Sequence, residues 1–184
     1  MLKNRTLIAF GLLLILSAAC DSVSAEARPF EAERFTFTIP AGWQTMQEVW
    51  DRPASAEDDY YGLGLLEQVM IQHPPVQGQG KAFFAVASSP LAEGETLEGR
   101  FTQAYQLAVP EIEDASQALF ELGDYAGFEI TYRRPWGEPW WQFRDLWLEK
   151  DGVIYLLSFH AAPGAFDSYA EILDEILHSF SFND

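Results

Sequence analysis

A single cysteine, Cys20, stands in a chain of 184 residues, so no disulfide can close within it. Basic residues are scarce as well: 11 Lys and Arg face 28 Asp and Glu, for a formal charge of -17. Nucleic-acid binding needs a basic footprint for phosphate, and this chain repels polyanions, which excludes that class of partner. Long hydrophobic runs are missing too. The main one, Leu7 to Leu16 (LIAFGLLLIL), falls short of the ~20 apolar residues that span a bilayer. Catalytic signatures are wanting: there is no GxSxG elbow and no HExxH, and His73, His160 and His178 stand apart from one another, which speaks against nucleophilic hydrolysis and against zinc. GLGLLE (62–67) breaks the dinucleotide fingerprint at its last glycine, and GQGKA (78–82) lacks the hydroxyl of a phosphate loop. What the chain does have is apolar mass, 48% hydrophobic and 15% aromatic, too much for a disordered polymer and, at this length, suited to one domain.

The N-terminus carries an address. Lys3 and Arg5 precede the apolar run, which ends in Leu16-Ser17-Ala18-Ala19-Cys20. A basic start, a short apolar stretch and small residues before a cleavage point read as an export signal. The segment resembles the bacterial lipobox, in which the cysteine is acylated and becomes the first residue of the mature protein, although Ser17 stands where that motif prefers Leu. The resemblance implies a signal peptide over 1–19, a lipidated Cys20 with a short tether over 20–32, and a folded domain over 33–184. Two or more acyl chains hold a protein on a bilayer where one does so only marginally. The expected location is therefore outside the cytoplasm, on the outer face of the cytoplasmic membrane, in a periplasm or at the cell surface. The membrane is a partner through that anchor alone.

Strict alternation in Phe35-Thr-Phe37-Thr-Ile39, stopped by Pro40-Ala-Gly42-Trp43, predicts a half-buried strand and a turn. Residues 51–59 read as a charged loop. Leu63 to Gln72 fits helix or strand; the loop at 73–80 and the run Lys81 to Ser89 favour a strand in a hairpin. Leu97, Phe101, Ala104, Tyr105 and Ala108 repeat at three and four, with Thr96 as N-cap and Pro110 beyond, which predicts an amphipathic helix over 95–109. Strands are expected at 118–122, 127–133, 141–149 and 153–160. Asp151-Gly152 suits a two-residue turn with positive φ, and 153–160, apolar on both faces, should be a central strand. Phe166, Tyr169, Ile172, Leu173, Ile176 and Leu177 define a last helix, with Ile172 and Ile176 toward the sheet.

This order predicts an α+β fold with helices on both faces of a mainly antiparallel sheet. The stretches FTFTIPAGW, GDYAGFEITY and DGVIYLLSFHA, with the final ILHSFSF, resemble the PsbP-like and Mog1-like group, which includes lipoproteins related to DcrB and of the mycobacterial LpqN type. That resemblance implies a three-layer αβα sandwich and an accessory or binding role. It transfers no active-site residue.

The acidic groups Glu57-Asp58-Asp59 and Glu111, Glu113, Asp114 offer hard oxygen ligands without the spacing of a calcium loop, and read as solvated faces. No cofactor and no metal is assigned. His160, at a strand end between Phe159 and Ala161, reads as a packed or capping imidazole. The segment from Tyr132 to Arg144 holds half of the chain's 6 Trp residues. Arg133, Arg134, Trp136, Trp140 and Trp141 make the candidate recognition patch, because Trp and Arg dominate binding hot spots and attract one another through cation–π contact. Trp141 and Phe143 continue a strand alternation and suit packing, whereas Trp136 and Trp140 fall in a turn. The assigned role is a non-catalytic binding or assembly accessory with a protein or small-ligand partner; the rivals are an envelope hydrolase using carboxylates in an aromatic cleft and a small-molecule carrier.

Overall fold

Alternation of apolar and polar residues sets most of the strands of the computed structural model, which describes residues 25–46, 59–60, 63–74, 81–108, 112–135, 140–162 and 164–183. In order these are β1 (Arg28–Glu31), β2 (Phe35–Ile39), β3 (Gln44–Thr45), β4 (Asp59–Tyr60), β5 (Leu65–His73), β6 (Ala82–Pro90), α1 (Leu97–Gln103), β7 (Glu113–Leu122), β8 (Tyr125–Arg134), β9 (Trp141–Lys150), β10 (Val153–Ala161), α2 (Ala170–Ser179) and β11 (Ser181–Phe182). The main sheet is antiparallel and ordered β3-β5-β6-β10-β9-β8-β7, with β4 added to β5; a second sheet is ordered β1-β2-β11.

β10 lies in the middle of the main sheet, as its two-sided apolar pattern predicts. Tyr155, Leu157 and Phe159 point to one face, where they meet Phe35, Phe37 and α2. Ile154 and Leu156 point to the other, under Phe101 and Ala104. The architecture is thus α+β in three layers: α1, the main sheet, and α2 with the small sheet. Leu173, Ile176 and Leu177 are the buried face of α2, each contributing about 1.5–3 kcal/mol by leaving water.

Local chemistry explains the element ends. The Thr96 hydroxyl accepts from the Gly99 N–H at 3.1 Å and caps α1, and the Asp151-Gly152 turn has φ of 54° and 74°, the mirror-image turn that matches strand twist. Four expectations are adjusted. Arg28–Glu31, inside the segment read as tether, pairs with β2. The helix over 95–109 is α-helical only to Gln103 and then widens to a π-helical turn over Ala104–Ala108. β7 begins at Glu113, five residues before the expected start, because backbone pairing to β8 carries a stretch whose side chains are exposed. The last helix opens with a tight 3₁₀ turn, Phe166–Tyr169, which leaves Ile172 at the margin of the core while Ile176 is fully buried.

Candidate functional site

The face of the main sheet beneath α1 carries most of the chain's unusual chemistry, and strand register arranges it in rows. Tyr132 pairs with Phe143, Phe143 with His160, and His160 with Phe83, across β8, β9, β10 and β6. Their rings stack at 5.2, 4.9 and 5.1 Å with interplanar angles of 11°, 22° and 21°. Those separations follow from the ~4.8 Å strand spacing, so the sheet itself builds the four-ring ladder.

One row nearer α1, polar groups meet inside the apolar layer. Asp145 is fully buried; its Oδ2 accepts from the hydroxyls of Tyr105 (2.6 Å) and Tyr132 (2.8 Å), and its Oδ1 accepts from Ser158 (2.6 Å). Trp147 Nε1–H donates to the Tyr105 hydroxyl at 3.0 Å. A buried carboxylate is costly unless its lone pairs are filled, and three hydroxyl donors fill them here. Tyr105 sits in the π-helical turn, so this network also fixes how that turn lies on the sheet. Burial, then the Asp145 charge, raises the Tyr105 phenol well above its ordinary value.

His160 lies within the ring ladder with no exposed surface. Burial, then the positive charge of Arg134, lowers its pKa well below 6.5. The sign of the linkage follows: below pH 6.5 the unfolded chain takes up a proton that the folded chain refuses. Stability from this group is complete above that pH and is lost toward acid at up to about 1.4 kcal/mol per pH unit. His160→Phe keeps a ring in the ladder and is expected to flatten that part of the acid limb. Denaturant midpoints from about pH 4 to 7 measure it; parallel limbs for the two proteins would assign the loss to other groups.

The far end of the ladder is where the predicted patch falls. Trp141 packs at 5.8 Å from Phe83 and 6.0 Å from His160, and the Arg134 guanidinium lies 5.4 Å over the Phe143 ring. Trp140, half-buried, is the residue that precedes β9 and Trp141 in the chain. Arg133, one residue on along β8, projects from the opposite face, where it pairs with Asp114 at 2.7 Å and Glu113 at 3.3 Å. The structure therefore joins Arg134 with Trp141 and separates Arg133 from them. Trp136 and Cys20 lie outside the described residues, as do Glu57, Asp58 and Glu111.

The other histidines are engaged elsewhere. His73 Nδ1 and the Tyr169 hydroxyl are 3.0 Å apart beside Trp43, and burial lowers the His73 pKa. His178 Nδ1–H donates to the Asp174 carbonyl at 2.6 Å. Among the described residues no three His, Cys, Asp or Glu side chains gather as a metal site would require. Sequence reasoning passed over Asp145, Ser158, Tyr105 and Phe83. The readable signal was Asp145 itself, a carboxylate at an inward position between Phe143 and Trp147.

No protein-family model and no curated protein matches the chain. Solved structures do share its fold. Cyanobacterial PsbP (CyanoP) from Synechocystis superposes with a TM-score of 0.59 at 12% identity, over 86% of this chain and 94% of that one. LpqN of Mycobacterium tuberculosis, involved in cell envelope biogenesis, gives 0.55 at 11% identity over 86% of each chain. The protein of unknown function PA94 from Pseudomonas aeruginosa gives 0.53 at 10% identity, over 84% and 95%. The chain thus has the fold of PsbP-like proteins.

Proposed function

We propose that the protein is exported, lipidated at Cys20, and works at the cell envelope as a non-catalytic binding or assembly accessory whose recognition surface is centred on Arg134, Trp140 and Trp141. The observation that carries this reading is the half-exposed end of the ring ladder, where the Arg134 guanidinium and the Trp141 indole sit on a rigid sheet, with Trp140 next to Trp141 in the chain. Rigid aromatic anchors beside an arginine are what binding hot spots are made of. Arg133 and Trp136 belong to the same stretch of sequence. Among the described residues the carboxylate buried in this aromatic face is Asp145, and both its oxygens are taken by hydroxyls, which suits a structural duty better than acid–base turnover. The envelope role of LpqN supports the location.

A photo-crosslinking amino acid at position 140, expressed in cells, is expected to give a discrete adduct in the membrane fraction. Arg134→Ala is expected to reduce it about tenfold, the equivalent of 1.4 kcal/mol of binding. Trp140→Ala with Arg134→Ala should move the melting midpoint by no more than about 4 °C. A larger fall would make these residues core, and an adduct indifferent to Arg134 would remove it from the interface.

The anchor has its own test. Cys20→Ser is expected to move the protein from the detergent-rich to the aqueous phase on detergent partitioning, or to leave the precursor unprocessed. Unchanged partitioning would exclude lipidation at Cys20.

A further inference from the structure

On the opposite face from the ring ladder, at the end of the main sheet marked by the Asp151-Gly152 turn, two adjoining recesses share Glu33, Arg34 and Tyr155. One, of about 320 Å³, is completed by Leu66, Gln68, Ser88, Pro90 and Val153; the other, of about 210 Å³, by Lys150, Asp151 and Asn183. Their floor is Tyr155, which is 2% exposed, with its ring set 4.7 Å from Phe182 and 6.4 Å edge-on to Phe35. The tyrosine hydroxyl forms no hydrogen bond among the described residues, and it is not sealed from the recess. A phenol buried to this degree ordinarily finds a partner. The Ser88 hydroxyl, lining the larger recess, is likewise without one among the described residues.

The rim is held in place. The Asn183 side-chain amide donates to the carbonyls of Ala32 (2.9 Å) and Glu33 (3.3 Å), its N–H donates to the Arg34 carbonyl (2.9 Å), and its own carbonyl accepts from Lys150 Nζ (2.6 Å). The turn that carries Glu33 and Arg34 is thereby latched over Tyr155, while both side chains extend from it without an ion-pair partner among the described residues. Such fixing of the backbone lowers the ordering cost of binding.

We propose that this cleft binds a small zwitterion of amino-acid or dipeptide size. Arg34 takes its carboxylate, Glu33 takes its ammonium, and the hydroxyls of Tyr155 and Ser88 bond the polar atoms between. The charge of the chain selects this chemistry. At -17 the protein repels a free anion at long range, whereas a neutral dipolar ligand feels little of that field and meets both signs at the rim. A guanidinium fork matches a carboxylate, and the apolar walls given by Leu66, Pro90 and Val153 leave room for a side chain.

The test is titration of the isotope-labelled protein with the common L-amino acids and with glycyl-L-alanine, each alone, followed by amide shifts. Saturable shifts are expected at Arg34, Ser88 and Tyr155 for at least one of these compounds. Arg34→Ala and Tyr155→Phe should each weaken that binding about tenfold. Tyr155→Phe should leave the melting midpoint unchanged, because the hydroxyl it removes has no partner in the folded chain. The N-acetyl amide of the same amino acid, which carries neither charge, should give no saturable shift. The proposal is overturned if no compound in the set produces saturable shifts at these residues, if the N-acetyl amide binds equally well, if acetate or inorganic phosphate alone reproduces the shifts, or if binding survives in both variants. Arg134 and Trp141 lie on the other face, so failure here leaves the recognition surface standing, and the reverse.

Discussion

Ile176→Asp is expected to lower stability by about 4 kcal/mol and the melting midpoint by about 10 °C or more. Ile176 has no exposed surface and lies in α2 between Leu173 and Leu177, all packed on the main sheet and β2. A carboxylate there would be buried with no cation to meet it, or α2 would have to lift from the sheet and expose its whole apolar face. Glu175→Ala, one residue earlier on the solvent side, should change stability by no more than about 0.5 kcal/mol. The two variants differ by a single helical step. Equal midpoints would mean that α2 is rotated from the orientation described. Ile172, at the margin of the core, is expected to fall between them.

Gly127→Ala should cost about 3 kcal/mol, although it adds one methyl group. Gly127 pairs with Leu148 between β8 and β9, and a Cβ built on it would collide with the Trp147 carbonyl oxygen and stand 3.0 Å from the Leu148 side chain. The backbone cannot yield to a contact that short without loosening β8 from β9. That pair also aligns Tyr132 with Phe143 and places Tyr132 on Asp145, so the variant should disturb the ring ladder as well. Urea unfolding with tryptophan fluorescence reads both effects. Wild-type stability in Gly127→Ala would show that β8 and β9 lie farther apart here than the described register allows.

Much of the architecture was legible because it is written at short range. The alternation in Phe35-Thr-Phe37-Thr-Ile39, the Thr96 cap and the Asp-Gly turn each act over two to four residues, and each sits where its local chemistry puts it. The three- and four-residue spacing found the last helix, and missed that its first turn is 3₁₀ and that Ile172 stays at the margin of the core, since such a turn carries apolar residues at much the same spacing. β1 and the first half of β7 were not legible. Arg28–Glu31 and Glu113–Gln117 carry little apolar alternation, and a strand of that kind is held by backbone hydrogen bonds to a neighbour that the local sequence does not reveal.

The candidate sites divide along the same line. Composition alone marked the 132–144 segment, because tryptophan and arginine concentrated in one stretch are visible without a fold. Alternation along β8 could even have separated Arg133 from Arg134, since neighbours on a strand face opposite ways. The Asp145 network was out of reach: Tyr105, Tyr132 and Ser158 come from α1's continuation, β8 and β10, and only register brings three hydroxyls onto one carboxylate. The same holds for Tyr155, whose open hydroxyl depends on Asn183 latching a turn some 150 residues away in sequence.

The sequence by itself determined a strongly acidic, aromatic-rich chain, most of its strands and helices, its central strand and the residues that face the core. These follow from periodicity and turn chemistry, which are properties of neighbouring residues. Tertiary structure alone decided which strands lie side by side, and with that the ring ladder, the saturation of Asp145 and the cleft over Tyr155. The physical reason is that a hydrogen bond or a stacked pair between distant residues exists only once strand order and register place them within a few ångströms, and that placement is settled by burial summed over the whole sheet.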